Sequence, residues 1–180
     1  MKKFLIVVDM QKDFVDGSLG TAEAVAIVPD VVEKIRSFDG DIFVTLDTHF
    51  DDYLDTAEGQ KLPVMHCIKD TEGWKLEEKV VEALQNKGFT TVEKHTFGSV
   101  DLPELLYRAA GEETFCVELV GLCTDICVVS NALLLKAFFP EIPIMVDASC
   151  CAGVTPEAHE AALVTMRSCQ IDVRHHTSEE

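Results

Sequence analysis

The side chains able to do covalent chemistry stand at the ends of apolar runs. The stretch from Phe115 to Ala132 reads FCVELVGLCTDICVVSNA: an apolar run rich in β-branched residues, a turn at Gly121, and an apolar helix that resumes at Thr124. This spacing puts Cys127 in the first helical turn, where unpaired N–H groups and the helix dipole stabilise an anion, a thiolate included. Free cysteine is also among the most buried residue types, so plain packing is the alternative reading. What separates the two is the company Cys127 keeps. The runs FLIVV, IFVTL and FTTVE are followed by Asp9, Asp47 and, after Glu93, Lys94. An ammonium beside a thiol lowers its pKa, so Lys94 is expected to favour the thiolate of Cys127. Asp9 is expected to take the thiol proton and return it to a leaving group. The competing reading of Asp9 and Lys94 is a structural ion pair. An unperturbed thiol near pKa 8.5 is only about 3% ionised at pH 7, so complete ionisation gains at most roughly 30-fold. A well-placed oxyanion donor is typically worth ~10²–10³. The turn that aims backbone N–H groups therefore matters at least as much as the charge on sulfur.

A second constellation is Asp47, His49 and His66, two imidazoles and a carboxylate with acidic residues in the loop between them. Such a ligand set suits zinc, manganese or iron with coordinated waters, although a histidine at a strand end is often satisfied by hydrogen bonds alone. The neighbouring DDYLD, residues 51–55, reads as a solvated loop.

The elements that must position these groups alternate in type. Phe4–Val8 reads as a central parallel strand. Val28, Val31, Val32 and Ile35 fall at helical spacing, with Pro29 near the start and Gly40 beyond the end. Ile42–Leu46 is the next strand. Residues 48–73 carry no sustained periodicity, and a connection that long in a compact domain is expected to be functional. A helix marked by Leu76, Val80, Ala83 and Leu84 stops at Gly88, a strand covers Phe89–Glu93, and a short helix carries Leu102, Leu105 and Leu106. After the strand–turn–helix unit, IPIMV gives a fifth strand ending at Asp147. Thr155, Pro156 and Glu157 start a helix, and Ile171–Val173 forms an edge strand. Strands alternating with helices predict βαβ units and a parallel sheet covered on both faces, an α/β fold with the ligand crevice at the carboxyl ends of the strands. The helix after Cys127, apolar on most faces, is a candidate subunit interface, so a homo-oligomer is expected.

Composition narrows the function classes. A chain of 180 residues, 47% hydrophobic and 26% charged, is read as one globular domain over 1–180. Its formal net charge of −17 disfavours nucleic acid and anionic membrane as partners. The apolar runs are shorter than a membrane span, and the amino terminus meets an acid too soon for a signal peptide, so a cytoplasmic location is expected. Seven cysteines, an odd number without a CxxC pair, fit reduced thiols better than disulfides.

The sequence resembles the isochorismatase-like cysteine hydrolases, and their nicotinamidase branch most closely. The resemblance is carried by VVDMQKDFVDGSL around Asp9, TLDTH and LPVMHC around Asp47, His49 and His66, VEKHTFGS around Lys94, and GLCTDICVVSNA around Cys127. It implies a three-layer, Rossmann-like fold with a parallel sheet of about six strands between helices. It implies a catalytic triad of Asp9, Lys94 and Cys127, and a cis peptide between Leu122 and Cys123. The oxyanion hole would be made by the N–H groups of Cys123 and Cys127, and Phe14 would be a substrate-binding residue. The metal ligands implied are Asp47, His49 and His66, with Glu58 as a fourth, holding a divalent metal, zinc first and manganese or iron as alternatives. The implied reaction is hydrolysis of a small carboxamide through a cysteine thioester, nicotinamide being the leading substrate. Another small amide or ureido compound and isochorismate are the rivals, the last disfavoured by the intact Asp, Lys and Cys set. The chain departs from the branch at HCIKDTEG, where Asp70 stands in place of a common glycine and, if φ > 0 is needed, aspartate must adopt it. The loop before His66 also lacks the aromatic residue that some nicotinamidases place against the pyridine ring; Pro63 and Val64 stand nearby.

Overall fold

The computed structural model describes residues 1–175. Six strands form one parallel sheet: β1 (Lys2–Val8), β2 (Asp41–Asp47), β3 (Phe89–Lys94), β4 (Phe115–Leu122), β5 (Ile144–Ala152) and β6 (Asp172–Arg174). Their order across the sheet is β3-β2-β1-β4-β5-β6. Central strand β1 has both neighbours and both faces covered, which is why FLIVV is apolar without alternation; Phe4, Leu5, Ile6, Val7 and Val8 are all buried completely.

The helices divide between the faces. Leu5 and Val7 pack with α2 (Ala22–Ala26), α3 (Val28–Ser37) and α5 (Glu78–Leu84). Phe4, Ile6 and Val8 point the other way, into α6 (Leu102–Ala110), α7 (Val129–Phe138) and α8 (Pro156–Ser168). The short helices α1 (Lys12–Val15) and α4 (Ala57–Lys61) lie in the connections after β1 and β2. This is the expected α/β/α layering. The strand order reverses direction between β1 and β4, so the crevice opens where Asp9 leaves β1 and the residues before Cys127 leave β4.

The ends of β5 and β4 differ most from those read in the sequence. β5 does not end at Asp147 but continues to Ala152, because the register against β4 shifts between Leu119 and Gly121 and brings Cys151 and Ala152 opposite Gly121 and Leu122. Gly121 is not a turn but the penultimate residue of β4, paired with Val8. The glycine is needed there for contact: its φ is +115°, and a Cβ would lie 2.1 Å from the carbonyl oxygen of Val8. Loop 48–73 also contains a short 3₁₀ turn, Tyr53–Asp55, as well as α4.

Gly121→Ala is accordingly expected to destabilise the fold by about 3 kcal/mol or more, combining left-handed strain with a backbone clash. Gly88→Ala, whose Cβ would meet nothing within 4 Å, provides the control. Urea unfolding should separate the two midpoints widely; coincident midpoints would show that β1 and β4 can part without cost.

Candidate active site

Neighbouring strand ends bring the charged residues together. Lys94 closes β3 in register with Asp47 at the end of β2. Asp9 follows β1 with φ +46°, a left-handed backbone that turns the chain at the strand end. Its amide N–H donates to Thr45, and the Thr45 hydroxyl donates to Asp9 Oδ1 at 2.6 Å. After β4 the peptide between Leu122 and Cys123 is cis. Residues Thr124–Val128 then form a single π-turn, with Val128 N–H donating to Cys123 carbonyl, before α7 begins. Cys127 therefore sits in the π-turn itself.

At the floor, Lys94 Nζ lies 2.7 Å from Asp9 Oδ2, 2.9 Å from Asp47 Oδ1 and 3.4 Å from Cys127 Sγ. All four side chains are buried. Burial opposes the ammonium, but the surrounding Asp9, Cys127 and Asp47 outweigh it and hold the pKa of Lys94 well above its ordinary value. For Asp9, burial prevails over the attraction of Lys94 and raises the carboxyl. Oδ2 of Asp9 receives no well-aligned hydrogen bond despite the ion pair, which leaves it open to accept a proton.

The thiol corrects the sequence-based expectation. Cys127 is held well above the ordinary thiol pKa, first by burial and then by the Asp9 carboxylate, and the pull of Lys94 is smaller than these together. The expectation weighed the ammonium and left out the desolvation of sulfur and its acidic neighbour. Cys123, also facing the cavity, is pushed up to about 12 by burial.

The second constellation shares a wall with the first. Oδ1 of Asp47 faces Lys94, while Oδ2 is 3.0 Å from His49 Nε2 and 3.6 Å from His66 Nε2. One ligand atom from each of these three residues lies within 4.8 Å of the others. Glu58 Oε1 stands 3.7 Å from both imidazoles. His66 Nδ1 lies 2.8 Å from the Val64 carbonyl, an acceptor only, so Nδ1 carries a hydrogen and Nε2 is the ring nitrogen that faces Asp47. Burial works against Asp47, but the histidines and Lys94 outweigh it and keep its carboxyl far below the ordinary range. Two imidazole nitrogens and an ionised carboxylate, converging and fixed by an outer hydrogen bond, are a donor set that fits a borderline divalent cation.

A cavity of about 670 Å³ joins the constellations, lined among others by Cys127, Cys123, Asp47, Glu58, His66 and Phe14. Phe14 packs against the His66 ring at 5.4 Å. Asp70 has φ +67° and Cys67 +47°, so the position usually taken by glycine does need the left-handed backbone, and aspartate supplies it.

Several residues that hold the site had no assigned role in the sequence. Tyr53, in the supposedly solvated DDYLD, is buried completely, with its ring centroid 4.6 Å from that of His49 and 5.0 Å from that of His66; its hydroxyl donates to Leu62 carbonyl. An aromatic residue amid acids was the available signal. Gln11 is also fully buried and brackets Asp47, accepting from its N–H and donating to its carbonyl. His95 and Phe97, just beyond Lys94, also line the cavity.

Residues 3–178 match the family model described as the isochorismatase domain. A curated Bacillus subtilis (strain 168) protein, an uncharacterised isochorismatase family protein PncA, is 31% identical over 177 residues, 91% of this chain and 93% of the relative. The crystal structure of nicotinamidase/pyrazinamidase PncA from Bacillus subtilis is similar with a TM-score of 0.83 at 28% identity, over 97% of this chain and 100% of that one. The pyrazinamidase of Pyrococcus horikoshii in complex with zinc is similar with a TM-score of 0.77 at 26% identity, over 98% and 100%. Among the described residues no helix is long and apolar enough to cross a membrane.

Replacing Lys94 tests the electrostatics of the floor. Lys94→Met leaves Asp9 and Asp47 buried without their common cation and is expected to cost about 3–5 kcal/mol near neutral pH. Without the ammonium, the folded-state pKa of Asp9 moves further above its unfolded value. The stability from its protonated form is then present at low pH and lost as pH rises. The deficit relative to wild type should therefore shrink from pH 8 to pH 5, as read by urea unfolding. A deficit independent of pH would mean that the carboxylates are stabilised by something other than Lys94.

Proposed function

The chain belongs to the isochorismatase family of hydrolases, and from that premise we propose that it cleaves a small carboxamide, nicotinamide first among them, by way of a cysteine thioester. The observation that carries this reading is the buried contact of Lys94 with Asp9, Asp47 and Cys127 at the base of a cavity lined by Asp47, Cys127 and His66. Its support from outside is the likeness to nicotinamidase and pyrazinamidase structures over nearly the whole chain.

In the reaction, Sγ of Cys127 attacks the amide carbon as its proton moves to Asp9 Oδ2, the acceptor left without a well-aligned donor. The N–H groups of Cys123 and Cys127 receive the developing oxyanion. Lys94 keeps its proton and holds sulfur, Asp9 and Asp47 in one arrangement. Asp9 then gives the proton to the departing ammonia, and water, activated by the same carboxylate, releases the acid from the thioester. Asp47, His49 and His66, with Glu58 as a further oxygen donor, would hold a divalent metal, zinc foremost. Such a metal would supply a Lewis-acidic position for a ring nitrogen of the substrate. Phe14, packed on His66, lies where it can bound the ring face.

Two expected outcomes follow. Cys127→Ala should abolish ammonia release, while Cys123→Ala keeps most of it, because Cys123 acts through its backbone and not its sulfur. A coupled ammonia assay decides this, and the reverse pattern would identify the wrong thiol.

With metal-supplemented protein, nicotinamide should be hydrolysed on the order of 10²-fold or more faster than benzamide in kcat/KM, since benzamide has the same outline and no ring nitrogen. His66→Ala should lower bound zinc, read by elemental analysis. Equal rates on the two amides would leave the cysteine chemistry standing and remove nicotinamide as the substrate.

A further inference from the structure

The floor and the mouth of the cavity differ in kind. Cys127, Asp47 and His66 on the floor are 4%, 3% and 2% exposed; at the mouth Leu62, Phe97 and Val154 are 37%, 46% and 50% exposed, with Leu19 and Ile126 between. The cavity of about 670 Å³ has the liquid volume of roughly twenty waters. A carboxamide on a single ring, seated at the thiol, fills only the inner part and leaves the apolar mouth open to water.

Two of these mouth residues are anchored to the π-turn that carries Cys127 and to α7, which continues it. Asn131, fully buried on α7, accepts from Ser99 N–H at 2.9 Å and donates to Phe97 carbonyl at 3.3 Å and to Cys127 carbonyl at 2.8 Å. Asp125, in the π-turn, accepts from Val154 N–H at 3.0 Å. Gly153 permits that approach, since a Cβ there would lie 2.9 Å from Asp125 Oδ1. Side chains on either side of Cys127 thus fix the backbone under Phe97 and under Val154. Half-exposed apolar side chains fixed around the entrance to a reactive thiol are the form a ligand groove takes.

We propose that the outer half of the cavity is a second subsite, which receives an apolar substituent on the acyl group of the amide substrate, turned away from the scissile bond. The substrate class is then an aromatic or heteroaromatic carboxamide bearing a short alkyl group, and the unsubstituted ring is a minimal member of it. The inference rests on the reading of Cys127 as the attacking nucleophile, because that reading fixes which end of the substrate points inward.

Nicotinamide and 5-propylnicotinamide test it; the propyl group sits on the ring edge turned from both the carboxamide and the nitrogen. Burial of each methylene corresponds to about a four-fold gain, so the propyl compound should exceed nicotinamide in kcat/KM on the order of 50-fold. Phe97→Asp, at a position exposed enough to tolerate it, should bring the ratio of the two values to within about threefold of unity. A propyl compound no better than nicotinamide, or a ratio unmoved by Phe97→Asp, would overturn the subsite. If neither compound releases ammonia, the hydrolase reading for this ring fails, and calorimetry on Cys127→Ala protein still decides the subsite. Tighter binding of the propyl compound, lost when Phe97→Asp is added, supports it; equal binding, or none of either, overturns it.

Discussion

One buried ammonium organises this molecule. Lys94 has almost no access to water, and an isolated charge in that position would cost several kcal/mol. It is tolerated because Asp9, Asp47 and Cys127 all reach it within 3.4 Å or less. Those partners come from three other segments, so the end of β3 cannot be satisfied unless β2, β1 and β4 finish at the same level. The register that places Asp47 opposite Lys94 is therefore electrostatic as well as hydrophobic in origin. Asp47 extends the constraint further. With Oδ1 toward the ammonium and Oδ2 toward His49 and His66, one carboxylate belongs to both constellations, and neither can shift without the other.

The surrounding chain shows what that arrangement requires. Left-handed backbone at Asp9, Cys67 and Asp70 is uncommon for residues with a Cβ, and these positions cluster around the site and its loop. Two of them are held by bonds made elsewhere: Asp9 by Thr45, and the Cys67 N–H by Asp13 at 2.7 Å. The Gln11 amide clamps the Asp47 backbone from both sides, which fixes the carboxylate without competing for its oxygens. The polar groups thus form a connected set in which side chains position the backbone and the backbone positions the reactive atoms.

Much of this was legible in the sequence because apolar runs announce strands and the residues after them announce what the strand ends carry. Asp9, Asp47, Lys94 and Cys127 were readable for that reason, and the π-turn falls where the helix was expected to resume. What escaped was long-range. Tyr53 lies in an acidic stretch whose local pattern says solvent, and only packing against His49 and His66, which the fold brings beside it, buries it. Gln11 and Asn131 are amides whose partners lie mostly far away in sequence, and periodicity is silent about them. β5 was read too short because its second half, ASCCA, owes its pairing to a register shift against β4 and not to a new apolar run. The thiol was misjudged because a sequence shows the charges near a cysteine but not how dry it is.

The dryness around Cys127 constrains how the proposed chemistry can run. A thiol whose pKa is raised by burial would seem a poor nucleophile, yet burial penalises a change in net charge, not an internal proton transfer. If the proton left Cys127 for bulk water, the floor would hold one more uncompensated negative charge. If it passes to Asp9, whose own carboxyl is raised by the same burial, the charge beside Lys94 moves from oxygen to sulfur and its sum is unchanged. In the proposed reaction the thiolate need not exist at rest; it would form as the carbonyl arrives, with Lys94 beside sulfur and Asp9. The dryness that raises the thiol is then the same property that keeps its proton within reach of the leaving group.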